Sequence, residues 1–121
     1  MKGKGSIIQI TSLEKQIQIF KALSHPARIA ILEILRDGEH CVCHLEAYLE
    51  LRQAYISQQL SVLREAGMIE DCRDGWHIYY NITDPRIFNL LDIVYKITDQ
   101  DAPDITRKKV QCSCPRCSPE D

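Results

Sequence analysis

Between Leu13 and Leu63 the apolar residues recur at helical spacing. Leu13, Ile17, Phe20 and Leu23 follow Thr11 and Glu14, which stand at capping-box spacing, and predict a first helix. "SHP" (Ser24 to Pro26) breaks it, and Pro26 suits the first position of a second helix. That helix turns Ala27, Ile31, Ile34 and Leu35 inward and stops at Gly38. A short helix from about Cys43 to Leu49 comes next, and then a longer one with Ile56, Leu60 and Leu63 on one stripe, ended by Gly67. There the period changes to alternation. "MIEDC" and "HIYYNI" flank "RDGW", where Asp74-Gly75 signals a hairpin, and Tyr79 and Tyr80 on opposite faces predict one core tyrosine. Asp84-Pro85 then opens a last helix to about Thr98, with Ile87, Leu90, Leu91, Val94 and Ile97 as its apolar set and Phe88 and Tyr95 on a flank. That set is wide for a helix packed on one side, so it predicts a subunit contact; a helix sunk deeper in its own core is the alternative.

In order, these elements make a mainly α winged helix-turn-helix of about five helices, with a two-stranded hairpin as the wing. Residues 1–99 form this domain, and residues 100–121 read as an irregular, cysteine-rich tail. The turn of the motif is "LELRQ", Leu49 to Gln53, and the reading helix begins near Gln53. Gln53, Tyr55, Gln58 and Gln59, with Ser57 alongside, are the outward residues expected at base edges, since an amide can pair bidentately with adenine. Arg52, Arg64 and Arg73 are candidate phosphate contacts, and His77 in the wing is another. Trp76 beside the hairpin turn is expected to cover the hinge of the wing.

Composition restrains this picture. A chain of 121 residues is one domain, and a net charge of −2 excludes a generally basic coat for nucleic acid. Glu65, Glu70, Asp71 and Asp74 weaken the field near the reading helix, so DNA affinity should depend only shallowly on salt. No apolar run approaches the length of a membrane span, and residues 1–12 carry no signal-peptide core, which leads to the expectation of a cytosolic protein. Nothing places a nucleophile beside a base and an oxyanion site, so an enzyme is not expected, nor is an organic cofactor.

"FKALSHPARIAILEIL", "EHCVCHL" and "SVLREAGMIEDCRDGWHIYYNI" together resemble the ArsR/SmtB family of metal-sensing transcriptional repressors. The resemblance covers roughly residues 13–98. It implies a homodimer that binds double-stranded operator DNA and releases it on binding a metal or metalloid. It also implies that Cys41 and Cys43 form the family's "CVC" box, at the start of the first helix of the helix-turn-helix. Two departures stand out. Glu46 occupies the place where arsenic-type boxes often carry a third cysteine, and no histidine lies between Pro85 and Thr98 to form the family's other common site.

The six cysteines are clustered: Cys41 and Cys43, then Cys112, Cys114 and Cys117, with Cys72 alone. On a formed helix, residues two apart diverge, so Cys41 and Cys43 can share an ion only where the helix has not begun or has unwound. Thiolates select soft ions, so As(III), Cd or Pb are the expected effectors, with Zn compatible. His40 and His44 are read as solvated or supporting groups, because four ligands within five residues would strain a tetrahedron. In "CSCPRC", Cys112, Cys114 and Cys117 either bind a three-coordinate metalloid by themselves or supply the ligand that the Cys41/Cys43 pair lacks; Cys72 is the remaining candidate, for which a small buried apolar role is the better reading. His25 is expected to be a weak helix cap. A thiol redox or persulfide sensor on the same scaffold, and a zinc-stabilised interaction module, are the alternatives.

Overall fold

A computed structural model of the chain describes residues 10–104. Helix α1 (Glu14–Leu23) follows a 3₁₀ turn at Ile10–Leu13. The expected Thr11–Glu14 capping box is not formed: the backbone is already helical at Thr11, so the N-cap position falls on Leu13, which makes no side-chain cap bond. Helix α2 (Pro26–Ile34) begins at His25, whose extended backbone and ring nitrogen cap it as expected. A 3₁₀ turn at Leu35–Asp37 closes it, and strand β1 (His40–Cys41) leads into α3 (Val42–Leu49). Glu50 takes a left-handed backbone (φ 56°) to end α3, and the chain re-enters helix as α4 (Gln53–Glu65). Strands β2 (Ile69–Asp74) and β3 (His77–Ile82) form the hairpin, and α5 (Arg86–Ile97) follows. The N-cap position of α5 falls on Pro85, one residue later than expected, and makes no side-chain cap bond; Asp84 Oδ1 accepts from the Arg86 amide at 3.0 Å just ahead of it.

The sheet holds three strands in the order β1-β3-β2, all antiparallel, where two were expected. β1 is only two residues long, too short for its alternation to register against the helical signal of its neighbours. Its presence makes β3 the central strand. Both Tyr79 (1% exposed) and Tyr80 (9%) are therefore buried, where one core tyrosine was predicted for an open hairpin. Cys72 departs in the other direction. It lies on edge strand β2, of which only Ile69 is buried, and is exposed, so its reading as a buried apolar residue is overturned. Between the strands, Gly75 takes φ 63° at the first of two loop residues, which a hairpin turn of this kind requires.

Ile31, Leu32 and Ile34 of α2, Leu45 of α3, the α4 stripe of Ile56, Leu60 and Leu63, and Leu91 of α5 form one buried cluster with Met68, Ile69 and Tyr80. Burying each such aliphatic side chain is worth about 1.5–3 kcal/mol. Polar links orient the helices around it. Arg36 holds buried Glu33 through two bonds (2.8 and 2.9 Å), reaches Asp92 at 3.0 Å and lies over the Phe88 ring, while Tyr95 Oη donates to Glu33 at 2.6 Å. This set fastens α5 to α2. The outer sides of two helices remain apolar: Ile17 and Phe20 on α1, and Ile93, Val94 and Ile97 on α5, are exposed. α5 is thus not sunk in its own core. No helix among the described residues is long and apolar enough to cross a membrane.

Candidate functional site

Helix α4 has two polar sides with different partners. Gln53, Ala54, Ser57 and Gln58 are exposed and follow one another at helical spacing, with half-buried Ser61 one turn on. Arg52, at the N-cap, is exposed beside them. Tyr55 and Gln59, expected on the same reading face, are turned to the protein. Gln59 is 7% exposed and accepts from Arg28 at 2.7 Å; the same guanidinium donates to the carbonyls of Ala22 (2.7 Å) and Lys21 (3.1 Å). Tyr55 Oη lies 3.0 Å from His25 Nε2. Because His25 Nδ1 accepts from the Ala27 amide at 3.1 Å, the proton of the neutral ring sits on Nε2, which donates to Tyr55. The correction has a simple geometric cause. Gln59 stands three residues after Ile56 and four before Leu63, on the flank of the buried stripe, a signal the sequence already carried.

The phosphate candidates also separate. Arg64 pairs with Asp71 at 3.6 Å, so part of its charge is answered within the protein, whereas Arg73 is exposed on β2. His77 is half-buried, its ring 6.2 Å from that of Tyr79. Trp76 is 98% exposed at the wing tip, so it does not cover the hinge of the wing among the described residues.

Cys41 and Cys43 are joined by a disulfide, their Cα atoms 5.4 Å apart. The boundary of α3 runs between them: Cys41 is the extended N-cap residue (φ −87°, ψ 168°), and Cys43 lies in the first helical turn. Cys41 is 3% exposed, and its sulfur accepts from the His44 amide at 3.4 Å; Cys43 is exposed. The pair borders a groove of about 190 Å³ whose other walls are Val42, Gln53 at the head of α4, and Trp76, His77 and Ile78 of the wing. The sulfurs therefore share a groove with both elements that would meet DNA.

Cys72 does not complete a sulfur site. Cys41 and Cys72 both pair with Tyr79, from opposite sides of β3, so two strand spacings, about 10 Å, separate them. Among the described residues no three His, Cys, Asp or Glu side chains converge to hold a metal ion. Cys112, Cys114 and Cys117 lie outside the described residues. His44, read from the sequence as solvated or supporting, is 7% exposed; its ring stacks on Tyr48 (ring centroids 4.9 Å) and lies tilted against His40 (4.4 Å). Burial, reinforced by the neighbouring His40, holds its ring below its ordinary pKa of 6.5, in the neutral form at neutral pH. His40 Nε2 lies 3.2 Å from Asp37 Oδ1.

A helix-turn-helix with an exposed amide-and-hydroxyl face, flanked by a hairpin wing, defines the class of winged helix-turn-helix DNA-binding regulators. Residues 25–71 match the model of the bacterial regulatory protein arsR family. The chain is 37% identical over 94 residues to the biofilm growth-associated repressor of Agrobacterium fabrum, covering 74% of this chain and 80% of that protein. Among solved structures, it is similar to a homodimeric winged helix-turn-helix DNA-binding domain from Mycobacterium bovis, with a TM-score of 0.70 and 26% identity over 82% of this chain and 91% of that one. It is also similar to reduced HlyU from Vibrio cholerae, with a TM-score of 0.65 and 26% identity over 74% of this chain and 95% of that one. The chain belongs to the arsR family.

Proposed function

We propose that this protein is a homodimeric transcriptional repressor whose hold on double-stranded operator DNA is set by the oxidation state of Cys41 and Cys43, the dithiol binding and the disulfide releasing. One observation carries this reading. The two bonded sulfurs straddle the start of α3, the first helix of the helix-turn-helix, in a groove shared with Gln53 and the wing. Breaking or making that bond changes the constraint on the start of α3 beside the first residue of the reading helix. A coupling of about 1–3 kcal/mol would shift operator affinity roughly 5- to 150-fold. Dimerisation is supported by the apolar outer sides of α1 and α5 and by the likeness to a domain described as homodimeric. The Agrobacterium relative is named a repressor, and one similar structure is described as reduced.

A second reading, release by a soft metal or metalloid such as As(III), Cd or Pb, with Zn also compatible, is favoured by the proximity of the same two sulfurs. Reduction would leave them as paired ligands. A third ligand to the pair would come from Cys112, Cys114 or Cys117, because Cys72 is too distant; the alternative is that those three cysteines hold the ion by themselves. Titrating protein bound to a cognate duplex with oxidant, As(III), Cd(II) and Zn(II), under anaerobic control, separates the readings. Oxidant is expected to release the DNA, and Cys41→Ser or Cys43→Ser to abolish that response. Release by a metal or metalloid but not by oxidant would replace the first reading with the second.

A further inference from the structure

The disulfide is unequal at its two ends. Both cysteines border a groove of about 190 Å³, but Cys43 is exposed whereas Cys41, the N-cap residue of α3, is 3% exposed. Cys41 Sγ also accepts the His44 amide at 3.4 Å. A sulfur at a helix N-terminus leaves readily as a thiolate, because the free amides and the helix dipole stabilise the charge. Thiol–disulfide exchange runs fastest when the attacker reaches an accessible sulfur and the stabilised one departs. Here both preferences select the same direction.

Resting on the redox reading above, we infer that a small aliphatic thiol enters the groove between the head of α4 and the wing and exchanges with the disulfide at Cys43, displacing Cys41 as the thiolate. The thiolate RS⁻ forms a bond to Cys43 Sγ as the Cys43–Cys41 bond breaks, and the electron pair of that bond leaves on Cys41. A second RSH attacks the sulfur of R, forming R–S–S–R and freeing Cys43. In total two thiols become one disulfide, and the protein gains two electrons and two protons. The same geometry runs backwards on oxidation: Cys43 takes the mixed disulfide, and Cys41 expels R by attacking Cys43 Sγ. Val42 and Ile78 give the groove apolar walls, with exposed Trp76 at its rim and Gln53 and His77 as its polar groups, so it suits a short, uncharged thiol. Because Gln53 and the wing also face DNA in this fold, a bound duplex covers the entrance.

The test uses the oxidised full-length chain and 2-mercaptoethanol as the probe. Brief exposure, acid quench and alkylation of free thiols, followed by fragmentation of the peptide holding both cysteines, show which sulfur carries the adduct. The adduct is expected on Cys43, with the alkyl group on Cys41, in roughly tenfold excess over the converse. Repeating the exposure at saturating duplex is expected to slow adduct formation roughly tenfold, as access is lost. Adduct mainly or equally on Cys41 overturns the assignment, and an unchanged rate on DNA overturns the groove as the route. The mapping reads sulfurs and not affinity. If oxidised and reduced protein bind the duplex equally well, the redox reading fails while this division of labour between the cysteines stands or falls on the adduct alone.

Discussion

Helices α2 and α3 begin in similar ways with different chemistry. Each has an extended residue at its N-cap, His25 and Cys41, whose side chain accepts a first-turn amide, at 3.1 Å from Ala27 and 3.4 Å from His44. Each also adjoins the reading helix, His25 through Tyr55 and the cysteine pair across the groove at Gln53. The α2 cap is held by hydrogen bonds alone, within a set that includes Arg28 and Gln59, and so belongs to the scaffold. The α3 cap is held by a covalent bond that two electrons can break. The first start ties α4 to the scaffold through Tyr55, and under the proposed function the second would let the thiol state act on the same helix.

The largest effect should come from the scaffold side. Arg28→Met removes the donor to Gln59 and to two α1 carbonyls, and is expected to cost about 2–3 kcal/mol of stability in urea unfolding. The loss should be equal in reduced and oxidised protein; a loss confined to one thiol state would erase the distinction between the two helix starts. Next, Gln58→Ala should weaken specific operator binding by about 1–2 kcal/mol, and leave stability within about 0.5 kcal/mol. Gln59→Ala should do the reverse, costing about 1 kcal/mol of stability. Finding both effects at Gln59 would return it to the reading face. His25→Ala should then cost about 1 kcal/mol through the lost cap, again in both thiol states.

The smallest effect concerns pH. Burial keeps the folded His44 pKa below its ordinary value of 6.5, so below that pH the unfolded chain binds a proton that the folded chain refuses. Stability is therefore whole above 6.5 and falls as the pH drops, until the folded ring itself protonates. His44→Phe keeps a ring against Tyr48 and should flatten this part of the pH profile of thermal melting. An unchanged profile would place the titrating group elsewhere.

The helices and the hairpin were legible because each shows several periods of its own pattern, bounded by Pro26, Gly38, Gly67 and Asp84-Pro85. β1 was hidden by its length, and with it the burial of both tyrosines, since a two-residue strand has no period. Cys41 and Cys43 stood out by residue type, but their unequal exposure depends on where α3 starts, which sequence spacing places only to within a residue or two. Tyr55 and Gln59 resemble readers in the sequence because a polar side chain at a helix position does not reveal whether it is exposed. Their partners, His25 and Arg28, lie thirty and thirty-one residues earlier, and only the packing of α2 on α4 brings them together.

The central claim is that the bond between Cys41 and Cys43 sets DNA affinity. Fluorescence anisotropy of a labelled operator duplex, titrated with fully reduced and fully oxidised protein, addresses it directly. The oxidised protein is predicted to bind at least about fivefold more weakly, with the difference absent in Cys41→Ser. Equal affinity of the two wild-type forms would contradict the account.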